Sequence, residues 1–420
     1  MKQHEWLPLT PIARAEGMWL YDFDGRRYLD AISSWWVNLF GHGHPHLKAR
    51  INSQLDRLEH VILAGFTHAP VVELSERLAA LVPGNLGHCF YASDGASATE
   101  VALKMSFHYW RNAGQPEKTR FISLARSYHG ETLGALSVTD VSLFRDTYAP
   151  LLRAPDIAPS PDARLAPAGV SAYDHAVACA EVLEHRLQQH HTETAALIVE
   201  PLVQCAAGMG MHHPEFLKRA RFLCDRYSVH LIADEIAVGF GRTGTMFACE
   251  QAGIAPDLLC LSKGLTGGCL PLSVVMTTDE IYGMFYDDDL ARGFLHSHSY
   301  TGNPLACSAA LATLELFERD DVLAANRAKA ETFTTLAAPL ASHPRVKHFR
   351  HSGMIWAFDV ETADPLFSRR FFTESLQREL LLRPIGTTVY FMPPYVIEDA
   401  QMAFLAERTF DALNAATADS

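Results

Sequence analysis

The amino-acid sequence predicts an α/β fold in which a mainly parallel central sheet has helices on both faces and a smaller α/β domain is attached. Short apolar runs alternate with amphipathic segments, most of them of helix length. This alternation is typical of parallel sheets, because each parallel connection needs a crossover, usually a helix. The apolar runs are 88–93, 120–125, 195–201, 229–235, 257–262 and 272–277. The chain has 420 residues and is 48% hydrophobic, so it can bury a core larger than one domain usually holds.

A Gly-Asn-Pro break at 302–304 ends the predicted large domain. Two helical patterns, 305–317 and 321–340, follow the break, and an α/β mixture then runs to the end of the chain. We expect this tail and the start of the chain to form one small domain. The predicted parts are 1–42 and 304–420 for the small domain and 43–303 for the large domain. The Pro- and Ala-rich stretch 154–169 predicts a surface excursion.

Charge and hydropathy argue against two classes of partner. The chain has 35 Lys and Arg against 48 Asp and Glu, a formal net charge of −13, so it repels nucleic-acid phosphates and anionic lipid. No apolar run reaches the roughly 20 residues that a membrane helix needs, and "MKQHEWLPLTP" lacks the apolar core of a signal peptide. We therefore expect a cytoplasmic protein whose partners are small molecules, and neither a nucleic acid nor a membrane.

The eight cysteines contain no C-x-x-C pair, which argues against a disulfide framework and against a zinc cluster. Histidine is abundant, and His42 with His44 and His296 with His298 form H-x-H pairs. These pairs lack Cys or acidic residues at ligand spacing, so no metal site is expected.

Lys263 and Asp234 carry the main chemical prediction. In "LSKGLTGG" Lys263 follows the apolar run 257–262, and in "VHLIADEIAVGFGRTG" Asp234 ends the run one crossover upstream. A lysine and a carboxylate at one sheet edge fit a pyridoxal phosphate site, where the lysine forms a Schiff base and the acid holds the pyridine nitrogen protonated. The alternatives are a solvated lysine on a glycine-rich turn and an acid at a strand end.

The segment "YASDGASATEVALKM" offers a place for the phosphate. A strand passes through Gly95 and Ala96 into a helix, and Ser97 and Glu100 have the spacing of a capping box. The exposed amides and the positive end of the helix dipole favour a dianion. A generic strand-turn-helix has the same pattern.

Aromatic and basic residues could complete such a site. Tyr128 in "RSYHGETLGA" could cover a flat heteroaromatic ring, and Trp35 and Trp36 could line an apolar channel. Arg383 in "ELLLRPIG" could bind a carboxylate through paired hydrogen bonds. Core packing is the alternative for the aromatic residues, and a surface salt bridge is the alternative for Arg383.

Six motifs taken together resemble the class III, or omega-type, aminotransferases of fold type I. They are "SDGASATEVALKM", "YHGETLGA", "IVEPLVQCAAGM", "ADEIAVGFGRTG", "LSKGLTGG" and "HSYTGNPLAC". Their order and spacing match from about Trp6 to Leu413, which is far more specific than any one motif. Within the family, "SSWWVNLFGHGHP", "ALKMSFHYWRNAGQPEK" and "LLRPIGTTVYFMPPY" look most like the branch that acts on 8-amino-7-oxononanoate in biotin biosynthesis.

The resemblance implies pyridoxal 5'-phosphate as the cofactor and a homodimer with shared active sites. The catalytic residues it implies are Lys263, Asp234 and Tyr128. The cofactor-binding residues it implies are Gly95, Ala96, Tyr128, Asp234, Lys263 and Ser299, the last from the other subunit. The substrate-binding residues it implies are Trp35, Trp36, Tyr128, Lys263, Arg383 and Tyr390.

The implied reaction moves an amino group to 8-amino-7-oxononanoate through alternating pyridoxal and pyridoxamine forms, with S-adenosylmethionine or lysine as the donor. Three departures from the family pattern are Glu131 after Y-H-G, where Asp is frequent, Ala96 in place of a serine, and Trp6 in place of a tyrosine. Trp6 leaves the donor open. The alternatives are another class III aminotransferase that uses an omega-amino acid or a diamine with pyruvate, and a catalytically silent, cofactor-binding homodimer.

Overall fold

The computed structural model describes residues 5, 7, 9–154 and 156–418, so the departure at Trp6 lies outside the described residues. A seven-stranded sheet forms the centre, with strand order β4-β12-β11-β10-β7-β5-β6. Its strands are β4 (His88–Ala92), β5 (Arg120–Leu124), β6 (Asp156–Ala158), β7 (Thr194–Val199), β10 (His230–Asp234), β11 (Leu258–Leu261) and β12 (Ser273–Thr277). The six apolar runs identified in the sequence all form strands of this sheet.

The sheet is parallel except at β12, which is antiparallel to both β11 and β4. Every residue of β7 and β10 is buried, as expected for central strands that helices cover on both faces. The longer helices that cover it are amphipathic; in α8 (Glu215–Tyr227) the buried positions Phe216, Ala220 and Leu223 share one face.

Two smaller sheets are separate from the central sheet, and the first of them combines strands from both ends of the chain. In one, β1 (Ile12–Glu16), β2 (Trp19–Asp22) and β3 (Arg27–Asp30) are joined by β15 (Leu380–Leu381), which pairs with β3. The other contains β13 (Val346–Ser352), β14 (Ile355–Val360) and β16 (Thr388–Phe391). A further antiparallel pair is formed by two short strands of two residues each, β8 (Val203–Gln204) and β9 (Gly210–Met211). The N-terminal strands thus pair with the C-terminal region, while the domain boundaries at 42/43 and 303/304 stay predictions.

The helices fill the connections between these strands. Their bounds are α1 (Ser33–Trp36), α2 (Pro45–Leu55), α3 (Ala69–Leu81), α4 (Gly95–Asn112), α5 (Leu133–Ser137), α6 (Ser142–Arg145), α7 (Ala172–His190), α8 (Glu215–Tyr227), α9 (Asp279–Gly283), α10 (Pro304–Arg319), α11 (Val322–Leu336), α12 (Ala338–Ala341), α13 (Phe367–Gln377) and α14 (Asp399–Thr417). Within the described part of the chain, none of them is long and apolar enough to cross a membrane.

The expectation of a surface excursion over 154–169 is wrong for part of that stretch. Residues Asp156–Ala158 form the edge strand β6, which pairs in parallel with β5. Three residues between prolines are too few to show a period of two, so the apolar alternation that identifies longer strands is absent here.

Gly353 lies where the small sheet meets the glycine-rich loop after β10. Its φ is 54°, and a Cβ at this position would lie 2.4 Å from the backbone nitrogen of Gly244 and 2.6 Å from the carbonyl oxygen of Arg242. The next residue, Met354, donates its amide to that same carbonyl at 2.8 Å. The backbone approach at this point therefore requires glycine.

We expect Gly353→Ala to lower the free energy of unfolding by about 2–5 kcal/mol, since overpacking of about 1–3 kcal/mol adds to a left-handed backbone cost of about 1–2 kcal/mol. Gly253→Ala is the matched control, because Gly253 has a φ of 62° and nothing within 4 Å of its Cβ position. Thermal unfolding of both variants checks the prediction. Equal losses in the two variants would contradict it.

Candidate active site

Asp234 and Lys263 lie at the same edge of the central sheet, as the sequence predicts. Strand β10 ends at Asp234 and pairs in parallel with β11, in a register that places Asp234 beside Cys260. Lys263 follows β11 by two residues, so both side chains emerge at the carboxyl end of adjacent strands. Ligands of open α/β sheets bind at this edge.

Asp234 is held by a histidine whose role the sequence did not indicate. His129 Nδ1 donates to Asp234 Oδ2 at 2.7 Å, and the amide of Ile236 donates to Oδ1 at 3.1 Å. Both side chains are buried. The other ring nitrogen of His129, Nε2, is buried without a hydrogen-bond partner among the described residues. A buried carboxylate fixed on one side by an imidazole can hold a cationic ring nitrogen on its other side.

Lys263 lies in a desolvated position beside an aromatic face. Its backbone has a φ of 43°, and its Nζ lies 4.4 Å from the centre of the Trp36 ring. Burial lowers the pKa of Lys263 from its usual value, while Cys205 and the carboxylates of Asp234 and Glu200 oppose that shift. The neutral, nucleophilic amine is therefore more accessible near neutral pH than for a solvated lysine.

Glu200 is a second acid that sequence reasoning missed. Its Oε2 accepts from the Tyr128 amide at 3.0 Å and its Oε1 accepts from the Cys205 amide at 3.1 Å. Burial raises the pKa of Glu200 to about 7. Its position at the end of β7 is visible in "ALIVEP", but the sequence gives no sign that its carboxylate would turn back to hold the loop that carries Tyr128.

Tyr128 contributes a ring to the cavity wall. Its hydroxyl donates to Glu131 Oε1 at 3.0 Å, and its ring meets Phe144 edge to face with centroids 5.3 Å apart. Burial, and then the Glu131 carboxylate, raise the pKa of the Tyr128 hydroxyl. The hydroxyl therefore stays protonated at neutral pH, and Glu131 takes the place of the shorter aspartate expected from the family pattern.

Helix α4 presents its N-terminus to the cavity, but the predicted capping box at Ser97 and Glu100 is wrong. The helix begins at Gly95, and the Asp94 carboxylate accepts from the Ser97 amide at 2.9 Å. Glu100 instead accepts from the Gly134 amide at 2.7 Å. Asp94 wins the cap because it stands directly before the first helical residue, in extended conformation.

One cavity of about 670 Å³ brings the predicted residues together. The predicted residues that line it are Trp35, Trp36, Gly95, Ala96, Tyr128, Asp234, Lys263, Arg383 and Tyr390. Ser299 is not part of this wall; it is exposed, and its neighbour His298 lies 3.0 Å from the hydroxyl of Ser93. Ser299 is thus near the start of α4 and faces outward.

The predicted substrate residues contact one another in pairs on the wall of the cavity. Trp36 Nε1 donates to the Tyr390 hydroxyl at 3.1 Å. The Arg383 guanidinium carbon lies 4.9 Å from the centre of the Trp35 ring. Among the described residues no carboxylate forms an ion pair with Arg383, so the surface salt bridge considered for it is absent there.

Arg242, in the glycine-rich loop after β10, bonds to the two segments that follow Trp36 and Tyr390. Its side chain is fully buried and donates to the carbonyl oxygens of Pro393 at 2.7 Å and Asn38 at 3.1 Å. Burial lowers the pKa of Arg242, and the ring of Tyr395 lies 4.9 Å from the guanidinium carbon. The segment after Trp36 and the segment after Tyr390 are therefore joined through one side chain.

These residues fit pyridoxal 5'-phosphate. A Cβ at Gly95 would lie 2.9 Å from Ile236 Cγ2, so a larger residue would crowd Ile236 at the helix N-terminus, whose backbone amides can hold a phosphate. The Tyr128 ring, Asp234 and Lys263 line the same cavity as Gly95. A helix N-terminus, a buried carboxylate and a desolvated lysine are the donors and acceptors that the phosphate, the ring nitrogen and the aldehyde need.

The sequence matches the family Aminotransferase class-III over residues 1–413. The chain therefore belongs to the class III aminotransferases, and the predicted family, fold class and enzyme class are confirmed.

The chain is also similar to individual members of this family. A relative from Helicobacter pylori, named adenosylmethionine-8-amino-7-oxononanoate aminotransferase, is 46% identical over 94% of this chain and 90% of its own length. A crystal structure of the protein of that name from Methanocaldococcus jannaschii is 33% identical, with a TM-score of 0.92 over 98% of this chain and 94% of that one. An amine transaminase from an uncultivated Pseudomonas species, in its PLP-bound form, is 31% identical, with a TM-score of 0.90 over 99% and 96%.

We expect Glu200→Gln to remove a pH-dependent part of the stability. Because burial raises the pKa of Glu200 from 4.5 to about 7, its contribution is fully present below pH 4.5 and is lost as the pH rises through about 7. The apo protein should therefore lose stability across this window more steeply than the variant does. Denaturant unfolding from pH 4.5 to 8 checks this, with the exposed Glu181→Gln as the control. Parallel curves for wild type and Glu200→Gln would contradict it.

Proposed function

We propose that this chain transfers an amino group to 8-amino-7-oxononanoate, giving 7,8-diaminononanoate in biotin biosynthesis, with pyridoxal 5'-phosphate as its cofactor and S-adenosylmethionine or lysine as the donor. The observation that carries the proposal is a relative of that name matched over 94% of this chain, together with a cavity that places Lys263 and Arg383 on a shared wall of aromatic residues.

When bound, pyridoxal 5'-phosphate supplies an aldehyde carbon that takes up the amino group and a ring that withdraws electrons from the neighbouring carbon. The N-terminus of α4 at Gly95 and Ala96 would hold the phosphate through backbone amides. Asp234, fixed by His129, would keep the ring nitrogen protonated. The Tyr128 ring would cover one face of the cofactor.

Lys263 is the group that moves protons. Because burial lowers its pKa, the amine can accept a proton at neutral pH. It takes the proton from the donor carbon that bears the amino group, and it later gives a proton to the acceptor carbon that was the ketone. The Trp36 ring, 4.4 Å away, excludes water from this side of the amine.

Arg383 binds the carboxylate of the acceptor. Its guanidinium packs against the Trp35 ring and has no ion-pair partner in the described part of the chain, so it can present paired donors to a carboxylate. Trp35, Trp36 and Tyr390 form the wall next to it, which suits the methylene chain between the carboxylate and the ketone.

A homodimer is part of the proposal, with Ser299 of each subunit completing the phosphate site of the other. Large apolar side chains are exposed on the segment 286–300, which contains Ser299, and this is the kind of surface that another subunit covers. They are Tyr286, Leu290, Leu295 and Tyr300.

The neighbouring amine transaminase structure favours a second candidate, an omega-amine:pyruvate aminotransferase. Mass spectrometry of product formation separates the two. The protein, saturated with pyridoxal 5'-phosphate, is given 8-amino-7-oxononanoate with S-adenosylmethionine, with lysine or with an omega-amine, and in parallel reactions pyruvate replaces 8-amino-7-oxononanoate. We expect 7,8-diaminononanoate with one of the first two donors. Alanine formed from an omega-amine and pyruvate, without any diamine product, would support the second candidate instead.

We expect Asp234→Asn to lower kcat by about 100-fold or more, because the amide cannot hold a proton on the ring nitrogen as a carboxylate does. Asp257→Asn is the matched control: Asp257 is a partly buried acid of the same sheet that accepts from Arg221 and from the Leu231 amide, away from the cavity. Steady-state kinetics and circular dichroism check the prediction. Normal turnover by a folded Asp234→Asn variant would contradict the role given to Asp234.

A further inference from the structure

The turn that carries both tryptophans has an unusual backbone. Four consecutive residues of α1 have positive φ, namely 52° at Ser33, 46° at Ser34, 76° at Trp35 and 74° at Trp36. Elsewhere in the described residues, no two consecutive non-glycine residues both have positive φ. A left-handed turn of L-residues places each Cβ against the following carbonyl oxygen, so the turn needs support from its surroundings.

The support at the start of the turn comes from Asp30. Its side chain is fully buried at the end of β3. Oδ1 accepts from the Ser34 amide at 2.9 Å and from the Ile32 amide at 3.4 Å. Oδ2 accepts from the Ser34 hydroxyl at 2.7 Å and from His42 Nε2 at 2.9 Å. Amides that converge in this way form a concave site for an anion, and the carboxylate occupies it.

The end of the turn is held by a cation. Arg242 Nη2 donates to the Asn38 carbonyl at 3.1 Å and lies 3.5 Å from the Trp36 carbonyl. The Asp30 carboxylate therefore faces the amide end of the turn, and the Arg242 guanidinium faces its carbonyl end. This arrangement of charges is favourable for the aligned peptide dipoles.

The turn determines what the two indole rings face. Trp36 is buried and lies against Lys263, while Trp35 is 57% exposed and lies against Arg383. Because the backbone sets the directions of adjacent side chains, a return of this backbone to negative φ would turn both rings away from Lys263 and Arg383.

We infer that Asp30, supported by His42, is a positioning residue that holds the left-handed turn Ser33–Trp36 and thereby orients Arg383 for the substrate carboxylate through Trp35. The kinetic part of this inference rests on the proposed function, whereas the position of the indole rings does not.

The first test uses ¹⁹F NMR of the protein labelled with 5-fluorotryptophan, with signals assigned through Trp35→Phe and Trp36→Phe. We expect Asp30→Asn to shift or broaden the signals of Trp35 and Trp36, and Asp22→Asn to leave them in place. Asp22 is the matched control, because it is a buried acid of the same sheet that accepts from the amides of Asp24 and Arg26. Unmoved signals in Asp30→Asn, or equal changes in both variants, would overturn the inference.

The second test compares kcat/KM for 8-amino-7-oxononanoate with that for its carboxamide. We expect Asp30→Asn to reduce the preference for the carboxylate by about tenfold or more, mainly through KM, and Asp22→Asn to leave it unchanged. Adding Ser34→Gly to Asp30→Asn should restore part of the preference, because glycine adopts positive φ without strain. An unchanged preference in Asp30→Asn, or no recovery in the double variant, would overturn the inference.

If Asp30→Asn does not fold, Ser34→Ala replaces it, because this change removes one donor to the Asp30 carboxylate. The ¹⁹F signals of Trp35 and Trp36 and the preference for the carboxylate substrate then test the inference in Ser34→Ala. A wild-type protein that aminates neither compound would remove the proposed function, and the NMR comparison would still decide whether Asp30 positions the rings.

Discussion

The parallel pairing of β10 with β11 is the constraint on which the site depends. It brings the end of one strand, Asp234, next to the strand that leads to Lys263, although a glycine-rich loop and a crossover separate them in sequence. Both strands are buried apolar runs, so a shift of register would expose their side chains or bury their polar ends. The positions of the acid and the lysine are therefore set by the packing of the sheet.

Three buried ionisable side chains near this edge have hydrogen-bond partners that limit the cost of burying their charge. His129 bonds to Asp234, backbone amides bond to Glu200, and backbone carbonyls bond to Arg242. The arrangement leaves two basic side chains facing the cavity, Lys263 and Arg383, each against an indole ring. An indole face does not form an ion pair with a basic group, so both groups stay available to a substrate.

Sequence reasoning reached those features that depend on strand ends and local patterns. It located six strands of the central sheet, the shared edge of Asp234 and Lys263, and nine of the residues that line the cavity. It did not locate features that depend on contacts between distant segments. The bond from His129 to Asp234, the return of Glu200 to the Tyr128 loop and the left-handed turn of Ser33–Trp36 have no local signal, because propensity and periodicity describe neighbours in sequence only. Ser299 and the domain boundaries remain predictions, since they concern a second subunit and the relation between parts of the chain.

The proposed chemistry depends on Lys263 as the residue that forms a Schiff base with the cofactor. Reduction of the protein with sodium borohydride in the presence of pyridoxal 5'-phosphate, followed by peptide mapping by mass spectrometry, tests this role. We expect a stable pyridoxyl adduct on the peptide that contains Lys263, and its loss in Lys263→Ala. An adduct spread over exposed lysines, or no adduct at Lys263, would show that Lys263 does not hold the cofactor.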